Sequence, residues 1–464
     1  MLIVLTASGA AMLIGLDITA VTVALPAIGS DLGVGVNGLQ WVMASYALVM
    51  AVLLLLAGAA GDRLGYRRSF FIGMAVFTVA SVLCCLAPNA ELLIVFRVLQ
   101  AVGAAGILPI GMSIVAHTFE NEAQRSRAVG VFSSLYGLGL ALGPLFGGLL
   151  VAAVGWRGIF WINLPAGALV MVLTAACVPD LHVGRPRSLD VFGQLLVIAL
   201  LGPLIFAIIE APQLGWGSVP ILLCLAVSAA SLAAFVTWER RQVEPMVDLR
   251  LFGSAPFTCA AGIGCAIYGA FAGVLFVSTL YLDDIKGFSA LRAGIWMLPM
   301  AGMVVLCAPL SGWLTGRYGA RPSLVTAGWA TMLGGLDFAL AHAETHPALL
   351  LIGFVLFGVA MGMANPPTTL IAIAGMPKER AGLASAIQVT SRRVGFALGT
   401  AVVGAVLASG WHRSDSAAHF TTASRAAWWI ITGCGIAAIA LAIVGTGSWA
   451  AATAARAAAH MSRR

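Results

Sequence analysis

The feature that most constrains this chain is a succession of apolar runs of about 20 residues or more, separated by short segments that hold most of the charge. A run of that length is what a helix needs to cross the hydrocarbon core of a bilayer. Many together specify a polytopic membrane protein, spanned by helices because each satisfies its own backbone in lipid. Composition agrees: of the 464 residues, 61% are hydrophobic and only 9% charged, against about a quarter charged in soluble domains. The runs place helices at 2–28, 39–60, 69–87, 91–115, 127–152, 157–178, 190–210, 219–239, 256–282, 290–315, 322–343, 348–374, 381–409 and 427–449, fourteen in all. The first run, Leu2–Ile28, is too long for the apolar core of a signal peptide and lacks a basic leader, so it reads as a retained span.

An even count puts both ends on one side, and the basic residues say which. Seventeen of the 25 Lys and Arg, from Arg63, Arg67 and Arg68 through Arg185 and Arg187 to Arg463 and Arg464, fall on the side of the termini. Five lie opposite (Arg157, Lys286, Arg292, Arg413, Arg425), and Arg97, Arg392 and Arg393 lie inside spans. Cytoplasmic loops carry such an excess, so both termini are expected in the cytoplasm. The net charge of +7 is therefore a property of membrane loops, and nucleic acid is not an expected partner. The eight Cys all sit in apolar runs without metal or redox spacing. His342 and His346 bracket Glu344 before Pro347, but this is not a metalloprotease helix, and no metal site is expected.

The chain also repeats itself. Leu56–Arg67 (LAGAAGDRLGYR) aligns with Leu310–Arg321 (LSGWLTGRYGAR) at an offset of 254, after helices 2 and 10, and Ala141-Leu142-Gly143 echoes in Ala397-Leu398-Gly399. Two six-helix copies then occupy 1–180 and 248–464, with helices 7 and 8 inserted at 181–247. Repeated halves around a midplane site are the architecture of alternating-access transporters.

Several segments resemble the major facilitator superfamily, and within it the fourteen-helix drug–proton antiporters of bacteria. Leu16–Pro26 (LDITAVTVALP) is similar to that family's LDxTVVNVALP. Gly58–Arg67 resembles the loop motif after helix 2, with Ala60 and Tyr66 in place of the usual Leu and Arg. Arg97–Gly103 resembles RxxQGxG, with Ala101 in place of the first Gly. Gly143-Pro144-Leu145-Phe146-Gly147-Gly148 resembles the antiporter motif GPxxGG, and Trp156-Arg157 with Asn163-Leu164-Pro165 resembles WRWIFxINLP. The resemblance implies an all-α fold of two pseudo-symmetric six-helix bundles plus an inserted hairpin. It implies a proton-coupled exporter of small amphipathic molecules in the bacterial inner membrane, a monomer that needs a proton gradient and no cofactor. The alternatives are an uptake symporter or uniporter, and more remotely a polytopic membrane enzyme, for which no GxSxG, HExxH or phosphate-loop motif is present.

The residues themselves point the same way. Asp17 lies about 16 Å and Arg97 about 9 Å deep at 1.5 Å per residue, a difference that an Arg side chain spans. An isolated charge at a helix centre costs roughly 2.5–3.5 kcal/mol, so the two should pair or face water. The pair, with Gln100, is either structural or a proton-responsive carboxylate. Gly58, Asp62, Arg63, Gly65 and Arg67 are read as a gating loop by resemblance, with positive-inside charge as the plainer reading; the second copy has Gly316 at the position of Asp62. Gly143, Pro144, Gly147 and Gly148, with Gly130, Gly137 and Gly139, give helix 5 a small-residue face for close packing, expected against the other half.

Tyr268, Phe271, Trp296, Met300, Phe357, Met361 and Asn365 are candidate linings of a substrate cavity, or else bundle core. Asp337 is expected to face lipid, a neighbouring helix or the outer surface, the alternative being a second buried carboxylate that recruits a cationic substrate or a second proton. On helix 13 the family's N-T-x-R-Q-x-G-G reads Val389–Phe396, which loses the Asn and Gln and places Arg392 beside Arg393. That change removes a polar role expected of the family and favours an anionic substrate.

Overall fold

Each apolar run has closed its own backbone ladder, as lipid requires. The computed structural model describes residues 2–119, 121–180, 190–242, 245–341, 347–374, 376, 378–411 and 417–462. Among these, fourteen helices are long and apolar enough to cross a membrane. They are α1 (Leu2–Leu32), α2 (Val36–Leu64), α3 (Tyr66–Cys85), α4 (Ala90–Thr118), α5 (Arg127–Val154), α6 (Gly158–Cys177) and α7 (Val191–Leu214). The series continues with α8 (Val219–Glu239), α9 (Ala255–Ile285), α10 (Ala290–Tyr318), α11 (Ala320–Leu340), α12 (Ala348–Ile373), α13 (Gly382–Gly410) and α14 (His419–Gly445). A fifteenth helix, α15 (Ser448–Ser462), follows. No strand occurs among the described residues. The protein is an all-α, multi-pass membrane protein.

The helices outrun their apolar cores. The largest difference from the sequence expectation is at α14, which begins at His419 rather than 427. Its first turns, Thr421 to Ala427, are rich in Ala and polar residues, so hydropathy falls while helix propensity does not. Arg425 therefore lies on a helix, not in an outer loop. Arg185, Arg187, Arg413, Arg463 and Arg464, used in the charge count, and His342 and His346 lie outside the described residues.

By packing, the chain divides into two units. One takes the chain to Gln194 together with Thr279–Ala301; the other takes Leu195–Ser278 and the chain from Gly302 onward. The end of α9 and the start of α10 pack with the first unit. The reason is visible at α5. A Cβ at Gly148 would meet Ala290 backbone, and one at Gly294 would meet the backbone of Pro144 and Leu145. Backbone approaches that close are open only to glycine.

The rest of the α5 small-residue face serves its own unit. Gly139, Gly143 and Gly147, spaced by four and so on one face, lie against Met12, Leu16, Thr19 and Ala20 of α1. Thr19 Oγ1 donates to Leu140 O at 2.9 Å across the same seam. Against the expectation that this face packs on the other half, Gly139, Gly143 and Gly147 lie on α1, while its Pro144–Gly148 end meets Ala290 to Gly294 of the second sequence copy. Gly130 and Gly137 have open space where a Cβ would stand and take no part. In the second unit, α9 and α13 repeat the device, with Gly269 against Gly395 and Gly399. Gly15 and Gly269, at the same offset of 254, hold equivalent places.

The loop repeat has a backbone cause. Gly65 joins α2 to α3 with φ 85°, and Gly319 joins α10 to α11 with φ 81°. Side chains with a Cβ rarely adopt that region, so both copies keep glycine at this turn.

Candidate functional site

The first unit buries a polar network among apolar helices. Asp17 on α1 is fully buried and Arg97 on α4 is 1% exposed. Arg97 Nη1 donates to Asp17 Oδ2 at 2.7 Å and to Gln100 Oε1 at 2.6 Å. Arg97 and Gln100, three residues apart, share one face of α4. Gln100 Nε2 donates to Asp17 Oδ1 at 3.0 Å and to Ser81 Oγ at 2.7 Å. Asn163 Nδ2 on α6 donates to the same Asp17 Oδ1 at 2.9 Å and to Ser81 at 3.2 Å. The guanidinium carbon lies 4.0 Å from the Tyr46 ring centroid and 5.7 Å from that of Phe160.

This arrangement answers the cost of burying charge in two ways. The pair is neutral as a whole, and Asp17 accepts three hydrogen bonds, so each oxygen is satisfied. It is not fully closed, because Arg97 Nε and Asn163 Oδ1 are buried without partners. Removing one ion of such a pair leaves the other uncompensated, at about 3–5 kcal/mol. The Asp17 carboxylate thus ties α1 to α4 and α6 through its three donors.

The sequence alone does not mark Asn163 and Ser81 as site residues. Asn163 stood only inside a motif, and Ser81 on α3 is a small hydroxyl in an apolar run. The available signal was that Asn163 is the one amide side chain within α6.

The loop motif is local in its contacts. Asp62 Oδ1 accepts from Tyr66 Oη at 2.9 Å, so the Tyr that departs from the family pattern supplies a donor to the motif carboxylate. Arg67 donates to the carbonyl of Ala175 at the end of α6, tying the loop to its own unit. Gly58 sits near Pro109 and Gly61 against Ile110 of α4, while Arg63 takes part in interactions of its own. At the other end of α1, Asp31 accepts from Trp156 Nε1 at 2.9 Å and from Arg157 at 2.6 Å.

The candidate cavity linings separate. Tyr268 and Asn365 come together with Arg392: Tyr268 Oη donates to Asn365 Oδ1 at 2.7 Å, and Arg392 Nη1 donates to the same oxygen at 2.6 Å. Phe271 packs edge-on to Phe396 at 6.5 Å. Phe357 belongs to an aromatic stack with Phe338, which lies 4.5 Å from Trp428. Trp296 rests on Phe288 at 5.6 Å in the first unit. Met300 and Met361 are buried, as is Arg393. Asp337 lies against Gly353 of α12, with Oδ2 buried and unpartnered. The described residues hold no cluster of His, Cys, Asp and Glu able to bind a metal, and all eight Cys are free thiols.

Comparison with known proteins gives this architecture its context. The Major Facilitator Superfamily model matches residues 7–400. The chain is 39% identical to multidrug resistance protein Stp of Mycobacterium tuberculosis over 88% of its length and 76% of that protein. It is 34% identical to the tetracenomycin C resistance and export protein of Streptomyces glaucescens, over 86% of this chain and 74% of the other. With the methylenomycin A resistance protein of Streptomyces coelicolor the identity is 33%, over 85% and 83%. In structure it is similar to the nucleoside transporter NupG, with a TM-score of 0.64 at 13% identity, over 96% of this chain and all of that one. That likeness shows the fold. The fourteen spans, the repeated glycine turns and the family match agree, and the chain belongs to the Major Facilitator Superfamily, as a membrane transporter and not an enzyme.

Proposed function

We propose that this protein exports small amphipathic molecules, of the drug or antibiotic class, across the bacterial cytoplasmic membrane in exchange for protons. The observation that carries the coupling is the buried Asp17–Arg97–Gln100–Asn163 network. The names of the relatives, resistance and export proteins, support the direction and the substrate class.

With Asp17 ionised, the pair is neutral and the carboxylate holds α1, α4 and α6 together through three donors. Uptake of a proton turns one acceptor oxygen into a hydroxyl and leaves the Arg97 charge without its counter-ion. The state described here is then disfavoured, and the alternating-access equilibrium shifts by whatever that loss amounts to. A proton descending about 100 mV and one pH unit releases roughly 3.7 kcal/mol, enough for a several-hundred-fold gradient of a neutral substrate. Both termini lie in the cytoplasm and the working form is a monomer. Two six-helix halves related by the repeat move about the substrate, with α7 and α8 as the insertion.

The test uses everted membrane vesicles with a fluorescent reporter of the pH gradient and a panel of cationic, anionic and neutral drugs. At least one compound should release protons when added, and its accumulation should collapse with an uncoupler. Accumulation that survives the uncoupler, or movement only in the uptake direction, overturns the reading.

A further inference from the structure

The two units treat their intramembrane arginines differently. Arg97 has Asp17; Arg392 on α13 has no carboxylate among the described residues. Its Nη1 donates to Asn365 Oδ1 at 2.6 Å, and its Nη2 donates to Asn365 O at 3.2 Å, Thr368 Oγ1 at 2.9 Å and Thr369 Oγ1 at 2.8 Å. The two hydroxyls can accept because each sends its own proton to a backbone carbonyl of α12. Tyr268 lies with its ring 5.5 Å from the guanidinium. Every one of these partners is a neutral dipole, so they orient the charge without cancelling it. The position equivalent to Asp17 at the 254 offset is Phe271, which supplies no charge.

A second observation lies one turn earlier on the same face. Gln388 is fully buried, and neither its Nε2 nor its Oε1 has a hydrogen-bond partner. Arg392 Nε is likewise buried and unpartnered. The two side chains converge on one spot of α9: a Cβ at Gly264 would stand 3.2 Å from Arg392 Cγ and 3.3 Å from Gln388 Nε2. Leaving a buried amide unpaired costs about 1–3 kcal/mol, and a charge in a membrane without a counter-ion costs more. Both costs are relieved by the same group. An oxyanion with two oxygens takes one N–H from Arg392 and one from Gln388.

We infer that Arg392 and Gln388 form a subsite for a carboxylate or similar oxyanion on the transported molecule, so that this exporter prefers amphipathic acids. The inference rests on the export reading and narrows its substrate class. Arg392 is only partly buried, which leaves it reachable.

The experiment measures equilibrium binding to the full-length protein in nanodiscs, without any gradient. The probes share one ring: tritiated 2-naphthoate, competed by unlabelled 2-naphthoate, 2-naphthamide and trimethyl(2-naphthyl)ammonium. The wild type should favour the acid over the amide by about tenfold or more, the range of a hydrogen bond to a charged group, and over the cation by at least as much. Arg392→Gln should erase that preference, and Arg392→Lys should keep part of it. Gln388→Leu guards against misfolding as the cause: it removes an unpaired buried amide, so it should melt no lower than wild type while the preference falls about tenfold. Equal binding of the three probes, no binding of any, or an acid preference that survives both Arg392→Gln and Gln388→Leu overturns the subsite. Because proton release is read separately in vesicles, a transporter that is coupled but indifferent to the acid loses only the subsite. One that prefers the acid but never moves protons loses only the coupling.

Discussion

Replacing Asp17 with Asn changes one atom of the buried network, and the hydrogen-bond directions give the consequence. Asp17 Oδ1 accepts from the amides of Gln100 and Asn163, and Oδ2 accepts from Arg97. An Asn has one acceptor oxygen and one donor nitrogen. If its oxygen faces the two amides, its NH2 confronts the guanidinium; if it faces Arg97, its NH2 confronts two donors. Either way a contact becomes donor against donor and Arg97 keeps a buried, uncompensated charge. We expect Asp17→Asn to insert and fold but to lose about 3–5 kcal/mol from this conformation. Asp17→Asn with Arg97→Gln, which removes both charges, should recover most of that loss. The assay is thermal unfolding of the purified single and double variants, paired with transport in vesicles. Accumulation driven by a pH gradient should vanish in Asp17→Asn, while substrate exchange without a gradient persists. Full gradient-driven accumulation in that variant, or a double variant no more stable than the single, would refute the reasoning.

Three further outcomes follow from packing. Gly147→Ala should abolish folded yield in a fluorescence size-exclusion assay, because its Cβ would stand 2.6 Å from Ala20 O and 2.8 Å from Ala20 Cα, both backbone atoms; Gly137→Ala, which meets nothing, should be silent. Gly65→Ala should lower stability by about 1–3 kcal/mol, the cost of holding a Cβ residue at φ 85°, measured as a drop in melting temperature. Asp337→Asn should alter transport of neutral and cationic drugs less than Asp17→Asn does; selective loss of cation transport at normal expression would place Asp337 in the binding site instead.

What the sequence revealed and what it hid differ for physical reasons. Span number followed from hydropathy because lipid enforces it residue by residue. Asp17 and Arg97 were found because an ionised group in an apolar run is costly and their depths match. Ser81 carries no comparable cost and leaves no periodic mark, so only its contact with Gln100 and Asn163 exposes it. Aromatic spacing was silent for another reason: Phe357 and Tyr268 both recur at helical intervals, yet one stacks on Phe338 and the other meets Arg392. Gln388 leaves no mark in the sequence, because a lone amide on a long helix is ordinary, and only the burial of both its unpartnered polar atoms sets it apart.

The charge asymmetry between the two units has an energetic consequence for transport. Unit one pairs its intramembrane arginine with a carboxylate; on the readings proposed above, that pair takes up the proton and Arg392 takes the anion of the substrate. If each cycle carries one monoanion out and one proton in, two charges move against each other in the same electrical sense. The membrane potential then contributes about 4.6 kcal/mol per 100 mV, twice what it gives when the substrate is neutral. The pH gradient contributes the same about 1.4 kcal/mol per unit in either case. Acid substrates should therefore be driven chiefly by the potential, and clamping it to zero with potassium and valinomycin should slow their export more than that of a neutral analogue. A potential dependence no steeper for the acid than for the neutral compound would mean that Arg392 is compensated by something other than the substrate.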